Sequence, residues 1–311
     1  MSAATVAGSR HRRYRPVGEL DLHLTLAPHM RGRYDLCHRV DSQGAHWRTW
    51  RTPDGPVTLR LCADRAAGEI DVQAWGSGSA WALDGIPALL GSDDDWSALT
   101  FTNRLLHETR RRCIGMRLSR SNCVVEALVP AVIEQLVNGV EARRTWNGLL
   151  ARFGEVAPGP IPFDLRVFPD GATLRQISTW EWHRLGLDGR RRQTVIGVAQ
   201  VVSRIDQFRS LDIETSARRL ASLPGIGEWT VAETLQRSHG SADLVSVGDY
   251  HVPNMVGYLF AGRPRSTDDE MLELLEPYRP HRQRVVRLVE ATGVGAPRYG
   301  PRIAVRDYRR M

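Results

Sequence analysis

The chain has 311 residues, more than the ~100–200 of a usual single domain, so two or three packed units are expected. Hydrophobic content of 42% and charged content of 25% are those of a soluble globular protein. The net charge of +7 favours polyanionic partners, and no apolar run of about 18 residues offers a membrane span.

Residues 1–16, with the run Arg10-His11-Arg12-Arg13-Tyr14-Arg15, lack a signal peptide's apolar core and read as a basic flexible tail. From Glu19 to about Ala82 short segments alternate with period two: Leu20-Leu22-Leu24-Leu26, Val57-Leu59-Leu61 and Ile70-Val72. Asp54-Gly55 marks a hairpin turn. The reading is a small antiparallel sheet with a helix or two, such as Asp95–Arg112, together forming an N-terminal domain over 17–115.

After Gly115 the periodicity becomes helical. Candidate helices are Cys123–Phe153 (with a start or kink at Pro130), Thr173–Trp182, Arg190–Ser203, Ser216–Leu223, Glu228–Ser238, Asp249–Phe260, Asp268–Glu276 and His281–Thr292. Asp268 is a reasonable cap. The Arg-rich tail 293–311 should be irregular. The fold class expected is α+β, mostly helical: a small antiparallel β-sheet domain followed by a two-lobed, all-helical core over 116–292.

Cys37, Cys62, Cys113 and Cys123 are scattered, with no close pair to suggest zinc, and read as reduced thiols in a cytoplasmic protein. The informative stretch is Leu223-Pro224-Gly225-Ile226-Gly227-Glu228-Trp229-Thr230, followed by Gly248-Asp249. A Pro-Gly-apolar-Gly turn between amphipathic segments is a helix–hairpin–helix. Its glycines let backbone amides approach a phosphate and aim the positive end of the next helix at it. Gly248-Asp249 then offers one fixed carboxylate at a second helix start. A backbone grip beside a fixed negative charge suggests chemistry on DNA.

Residues 222–250 resemble the core signature of the helix–hairpin–helix–GPD DNA glycosylases, most of all the bacterial 3-methyladenine DNA glycosylase II group. Ala127-Leu128-Val129 through Gln135-Leu136-Val137 is similar to that family's first core helix, and Arg152-Phe153-Gly154-Glu155 to the segment after it. Leu185-Gly186-Leu187 with Gly189-Arg190-Arg191 looks like the family's Leu-Gly-Leu…Lys/Arg turn. The resemblance covers roughly residues 116–290. It lacks the four-cysteine cluster pattern of endonuclease III-like relatives.

The resemblance implies roles for particular residues. Asp249 would stabilise the positive charge built at C1′ and orient the attacking water; the plainer reading, a helix cap, is compatible with that. Leu223, Gly225, Ile226 and Gly227 would grip a DNA phosphate. Carbonyls of Ala221, Leu223 and Ile226 would hold a monovalent cation, Na+ or K+, when DNA is bound; no other cofactor is implied. Trp229 stands where lyase-type relatives carry lysine, and its indole would stack on a flipped base or pack in the core.

Tyr250 matches an aromatic pocket position. Glu233 and His281 stand where the resembled enzyme has aromatic residues, so the pocket looks more polar; Glu233 either accepts a bond from the flipped base or sits at a solvent edge. Leu136 matches the wedge that fills the gap left by an extruded base, or is an ordinary buried leucine. Gln135 shares the resemblance without a derivable role. Arg190, in the run Arg190-Arg191-Arg192, contacts phosphate or is merely solvated.

All 42 basic residues are arginine. A strand-cutting glycosylase usually forms a Schiff base through a lysine amine, which a guanidinium cannot replace, so that only the N-terminal amine remains for it. The expectation is a monomeric, monofunctional glycosylase acting on double-stranded DNA, associated with the nucleoid and excising alkylated purines of the 3-methyladenine and 7-methylguanine type in base excision repair. A relative specialised for a deaminated or bulky base, and a non-catalytic damage binder, are the alternatives.

Overall fold

The computed structural model describes residues 8–295. The N-terminal sheet holds β1 (Arg10–Tyr14), β2 (His38–Val40), β3 (His46–Thr52), β4 (Gly55–Asp64) and β5 (Glu69–Trp75). All pairings are antiparallel, in the order β1-β5-β4-β3-β2. The alternation seen in sequence puts Val57, Leu59 and Leu61 of β4, and Ile70, Val72 and Ala74 of β5, on one buried face. That face packs against α1 (Leu22–Leu26), α2 (Ser79–Asp84) and α3 (Ile86–Leu89). The Asp54-Gly55 turn joins β3 to β4 as expected, with Gly55 at φ +115°.

Three expectations for this region change. The basic segment 1–16 is not simply a flexible tail: Arg10–Tyr14 forms the edge strand β1, in register from Arg10 opposite Ala74 to Tyr14 opposite Ile70. Basic side chains suit an edge strand, where they discourage further pairing. Leu20–Leu26 is not a strand. Asp21 accepts a bond from Leu24 N at 2.8 Å and caps α1. Leu22 and Leu26, one turn apart, then face the sheet, and Leu24 faces another core.

Third, the 17–115 domain ends too late. Only Arg104–Arg112 of the expected Asp95–Arg112 segment is helical (α4). Trp96, Leu106 and Met116 lie in one core with Val245, Val256, Leu275 and Val285. The Asp94 carboxylate pairs with Arg284 at 2.5 Å, both side chains nearly fully buried. Residues 94–116 therefore complete the far helical lobe.

The nearer lobe contains α5 (Val124–Glu134), α6 (Gly139–Phe153), α7 (Gly171–Gln176), α8 (Thr179–Leu185), α9 (Gly189–Gln200), α10 (Val202–Asp206), α11 (Ile213–Ala221) and α12 (Glu228–Ser238). Between α6 and α7, β6 (Glu155–Val156) and β7 (Arg166–Val167) form a two-stranded ribbon. Leu128, Val132, Trp146, Trp182, Phe208 and Leu235 are central to the lobe's core. The far lobe adds α13 (Val252–Ala261), α14 (Asp268–Leu275) and α15 (Arg282–Ala291).

Capping residues divide what periodicity had joined. Asn138 accepts bonds from Val140 N and Glu141 N, so Cys123–Phe153 is two helices, and the chain runs helically through Pro130. Asp170 and Ser178 likewise split Thr173–Trp182 into α7 and α8. Thr267, not Asp268, caps α14, in a capping box with Glu270. Among the described residues no helix is long and apolar enough to cross a membrane. The Arg-rich tail expected over 293–311 lies outside the described residues from 296 onward.

Candidate active site

The hairpin sits between α11 and α12. Gly225 has φ +82°, which a glycine adopts freely. A Cβ there would stand 2.1 Å from Thr194 Oγ1 on α9, so glycine is also required by space. Ile226 is buried and anchors the turn to the lobe core, while Leu223 is half-buried against it. Gly227 ends the hairpin as N-cap of α12 and supplies no capping side chain. The positive end of α12 is thus bare and open to an anion, as the hairpin reading expects.

Asp249 lies at the opening of α13, half-buried. Its Oδ1 accepts from His251 N at 2.7 Å and from Val252 N at 3.0 Å; the helix begins at Val252 with His251 as N-cap, so Asp249 binds the helix opening from two residues before the cap and is not itself the cap. Its Oδ2 accepts from Trp229 Nε1 at 3.2 Å. Three donors from two helices fix the carboxylate, and Gly248 N is in turn bound to Asp268 Oδ1 at 3.0 Å. Trp229 is half-buried and outside the apolar cores, so the core-packing alternative gives way to a place beside the acid.

Glu233 lies one turn along α12 from Trp229, but its carboxylate is committed elsewhere. Oε2 pairs with Arg237 at 2.7 Å, and Oε1 accepts from Ser246 Oγ. Arg237 continues to the Pro28 carbonyl at 2.9 Å, and Gln236 binds Leu244 O and Ser246 Oγ. Glu233 is therefore neither at a solvent edge nor a free acceptor for a base. It ties α12 to the loop that carries Asp249. Tyr250 is 61% exposed and lies edge-on to His251. His281 bonds to Arg284 and to the Tyr278 carbonyl, not to Trp229 or Asp249; burial, then the Arg284 charge, push its pKa down.

Leu136 is not an ordinary buried leucine. It is 99% exposed, at the turn between α5 and α6, with φ +55°. A leucine held in the left-handed region costs about 1–2 kcal/mol, and nothing buried is gained for it. Gln135 explains how the turn is held: its Nε2 donates to the Gly225 carbonyl at 3.0 Å and to Thr230 Oγ1 at 2.8 Å. Sequence reasoning gave Gln135 no role, because its partners lie about ninety residues away.

The run Arg190-Arg191-Arg192 is sorted by burial. Arg191 is buried and bonds to Asp188 and to the Ile133 carbonyl, buttressing the end of α5. Arg192 binds Thr179. Only Arg190 is exposed, one turn before Thr194, which touches the hairpin. The Leu136 turn, the hairpin and the α9 turn that carries Arg190 are therefore linked through Gln135 and Thr194, and Trp229 on the same helix as Thr230 carries the link on to Asp249.

For the cation, the Ala221, Leu223 and Ile226 carbonyls are hard oxygen donors of the kind Na+ and K+ take. The Leu223 carbonyl already accepts from Ile226 N at 3.2 Å and keeps a second lone pair. The donor set fits such an ion. Among the described residues no cluster of three or more His, Cys, Asp or Glu suits another metal.

By sequence, no family model and no curated protein matches the chain. Solved structures do. A 3-methyladenine DNA glycosylase from Archaeoglobus fulgidus superposes with a TM-score of 0.75 at 16% identity, covering 91% of this chain and 98% of its own. This chain has the fold of the helix–hairpin–helix DNA glycosylases. The 8-oxoguanine glycosylase/lyase of Clostridium acetobutylicum gives 0.68 at 10% identity over 92% and 98% of the two chains. The same enzyme bound to double-stranded DNA with cytosine opposite 8-oxoguanine gives 0.64 at 11%, over 88% and 91%. This coverage takes in the β-sheet domain, well beyond the stretch that carries the sequence resemblance.

Proposed function

We propose that this glycosylase-fold chain is a monofunctional DNA glycosylase that extrudes a damaged purine and hydrolyses its glycosidic bond. The observation that carries the reading is the Asp249 carboxylate, fixed by Trp229 and the head of α13 beside an uncapped hairpin helix. As the base departs with the C–N electron pair, C1′ becomes cationic and Asp249 stabilises it. Water then bonds to C1′ and gives up a proton, for which the carboxylate is the nearby acceptor. Leu136 fills the vacated space, the hairpin amides and Arg190 hold backbone phosphates, and the Ala221, Leu223 and Ile226 carbonyls would hold Na+ or K+, whose charge would favour a phosphate there.

Hydrolysis without strand cleavage is supported by Trp229 at the lysine position and by a sequence of 42 arginines and no lysine. Alkylated purines are the substrates favoured. Their positive charge makes them good leaving groups, and over an indole face it adds ~0.5–2 kcal/mol of cation–π attraction. One observation keeps a different lesion as second reading: Glu233 and His281 put polar side chains where the resembled enzymes have large apolar aromatic ones. The protein would act as a monomer on nucleoid DNA in the cytoplasm.

The test is single-turnover base release from methylated, inosine-containing and uracil-containing duplexes, wild type beside Asp249→Asn. The variant should still bind an abasic-site duplex and release base about a hundred- to a thousandfold more slowly, the scale set by loss of one electrostatic stabiliser. Full-speed release by the variant rejects the enzyme reading. Release of base from the inosine or uracil duplexes alone selects the second reading.

A further inference from the structure

The β-sheet domain reaches the wedge through the loop after α1. Arg31 pairs with Glu134, the residue before Gln135, at 3.6 Å. Gly32 presses on Arg143 in α6: a Cβ there would stand 2.6 Å from Arg143 Cδ. The loop therefore abuts both ends of the turn that presents Leu136. Its next residues point outward. Tyr34 is 66% exposed, with the Arg33 guanidinium 5.6 Å and the Arg39 guanidinium 5.7 Å from its ring centre. Val140, one turn into α6 from Leu136, is 46% exposed.

Arg33, Arg39 and Arg143 make no ion pair with any described residue, whereas most acids around them are taken. Glu134 is bound by Arg31, Asp35 by Trp146 and backbone amides, and Asp164 by Arg166. The result is an exposed ring flanked by the unpaired Arg33 and Arg39 guanidinium groups, with Arg143 against the neighbouring Gly32, near the turn that carries the exposed Leu136. Nucleic acid meets each part: phosphates for arginine, a base face for the ring, and a gap in the stack for leucine.

Building on the glycosylase reading, we propose that Arg33, Tyr34 and Arg143 form a second DNA contact, in which the β-sheet domain grips the strand opposite the expelled base. Tyr34 stacks on the base left without a partner, and Arg33 and Arg143 hold the flanking phosphates. A wedge leaves that partner base unpaired, and an adjoining aromatic surface restores its stacking. The sheet domain thereby becomes part of the lesion-binding apparatus.

The experiment measures affinity of Asp249→Asn protein for an abasic-site duplex across a salt series, and single-turnover release by the wild-type background. Adding Arg33→Ala and Arg143→Ala together should lower affinity. It should also flatten the slope of log K against log salt by about 1.8, two phosphates at about 0.9 each. Tyr34→Ala should erase the preference for a duplex with a base, over one with a gap, opposite the abasic site, and Tyr34→Phe should keep it. The remote pair Arg65→Ala and Arg111→Ala is the control. A slope no flatter than the control's, with release intact, overturns this proposal alone; no binding to any duplex by the parent overturns it together with the function.

Discussion

Gln135 joins the wedge to the hairpin, its side-chain amide donating to the Gly225 carbonyl and to Thr230 Oγ1. The exposed turn that carries Leu136 and the hairpin are thus held in fixed register. Gln135→Ala removes two neutral hydrogen bonds, worth ~0.5–1.5 kcal/mol each. Excision should slow most where the lesion is well paired and least opposite a mismatch, because only well-paired bases resist extrusion. Single-turnover rates on both duplexes check it; an equal loss on the two would show that the tether does not serve extrusion.

Trp229 has two separable contributions. Trp229→Phe keeps a ring and removes the N–H that Asp249 accepts. Losing a donor to a charged group costs ~1.5–3 kcal/mol, so base release should fall about ten- to a hundredfold. Binding of an abasic duplex should hardly move, since no base is there to stack. Trp229→Ala should add a loss of discrimination between cationic and neutral purines, read from release rates on the two substrates.

The buried pair Asp94–Arg284 stitches the 94–116 segment into the far lobe. Asp94 also accepts from Trp96 Nε1 at 2.6 Å and from Leu118 N at 2.8 Å. Asp94→Ala strands the Arg284 guanidinium, and breaking one side of a buried pair costs ~3–5 kcal/mol. Chemical denaturation should show a loss of that size. A change below about 1 kcal/mol, the range of an exposed pair, would mean that the segment is not integral to the lobe.

Glu126, buried where the sheet domain meets α5, has its pKa raised to about 7 by burial, against the opposing pull of Arg48. The folded state therefore keeps a proton that the unfolded chain releases near 4.5. Stability from this group is complete below pH 4.5 and is lost as pH rises through about 7, with no change above. His29, His38 and His46 are lowered, mainly by burial, and act with the opposite sign. The difference between wild type and Glu126→Gln isolates the acid. Unfolding free energies from pH 4.5 to 8 should converge or cross across that window; parallel curves refute the buried proton.

The two buried thiols should be silent at neutral pH. Burial pushes the Cys37 and Cys123 thiols well up, and Cys62 and Cys113 are partly exposed. Iodoacetamide on the folded protein should label only the latter two, as mass spectrometry would show.

The sequence alone determined the hairpin, the acid after it and the helical core, because these rest on local chemistry. A Pro-Gly-apolar-Gly turn, a carboxylate at a helix start and an apolar stripe at helical spacing each work within about ten residues. Glu228–Ser238 emerged with both ends correct for that reason. What crosses the chain was not legible there. Leu22 and Leu26 read as a strand until the sheet and Asp21 placed them on a helix, and Arg10–Tyr14 read as a tail until β5 gave it a partner.

Tertiary structure alone decided that Glu233 is spent on Arg237 and Ser246, that Arg190 is free while Arg191 is not, and that Leu136 stands fully exposed. Residue type names what a side chain can bond to. Only packing assigns which of those partners it meets.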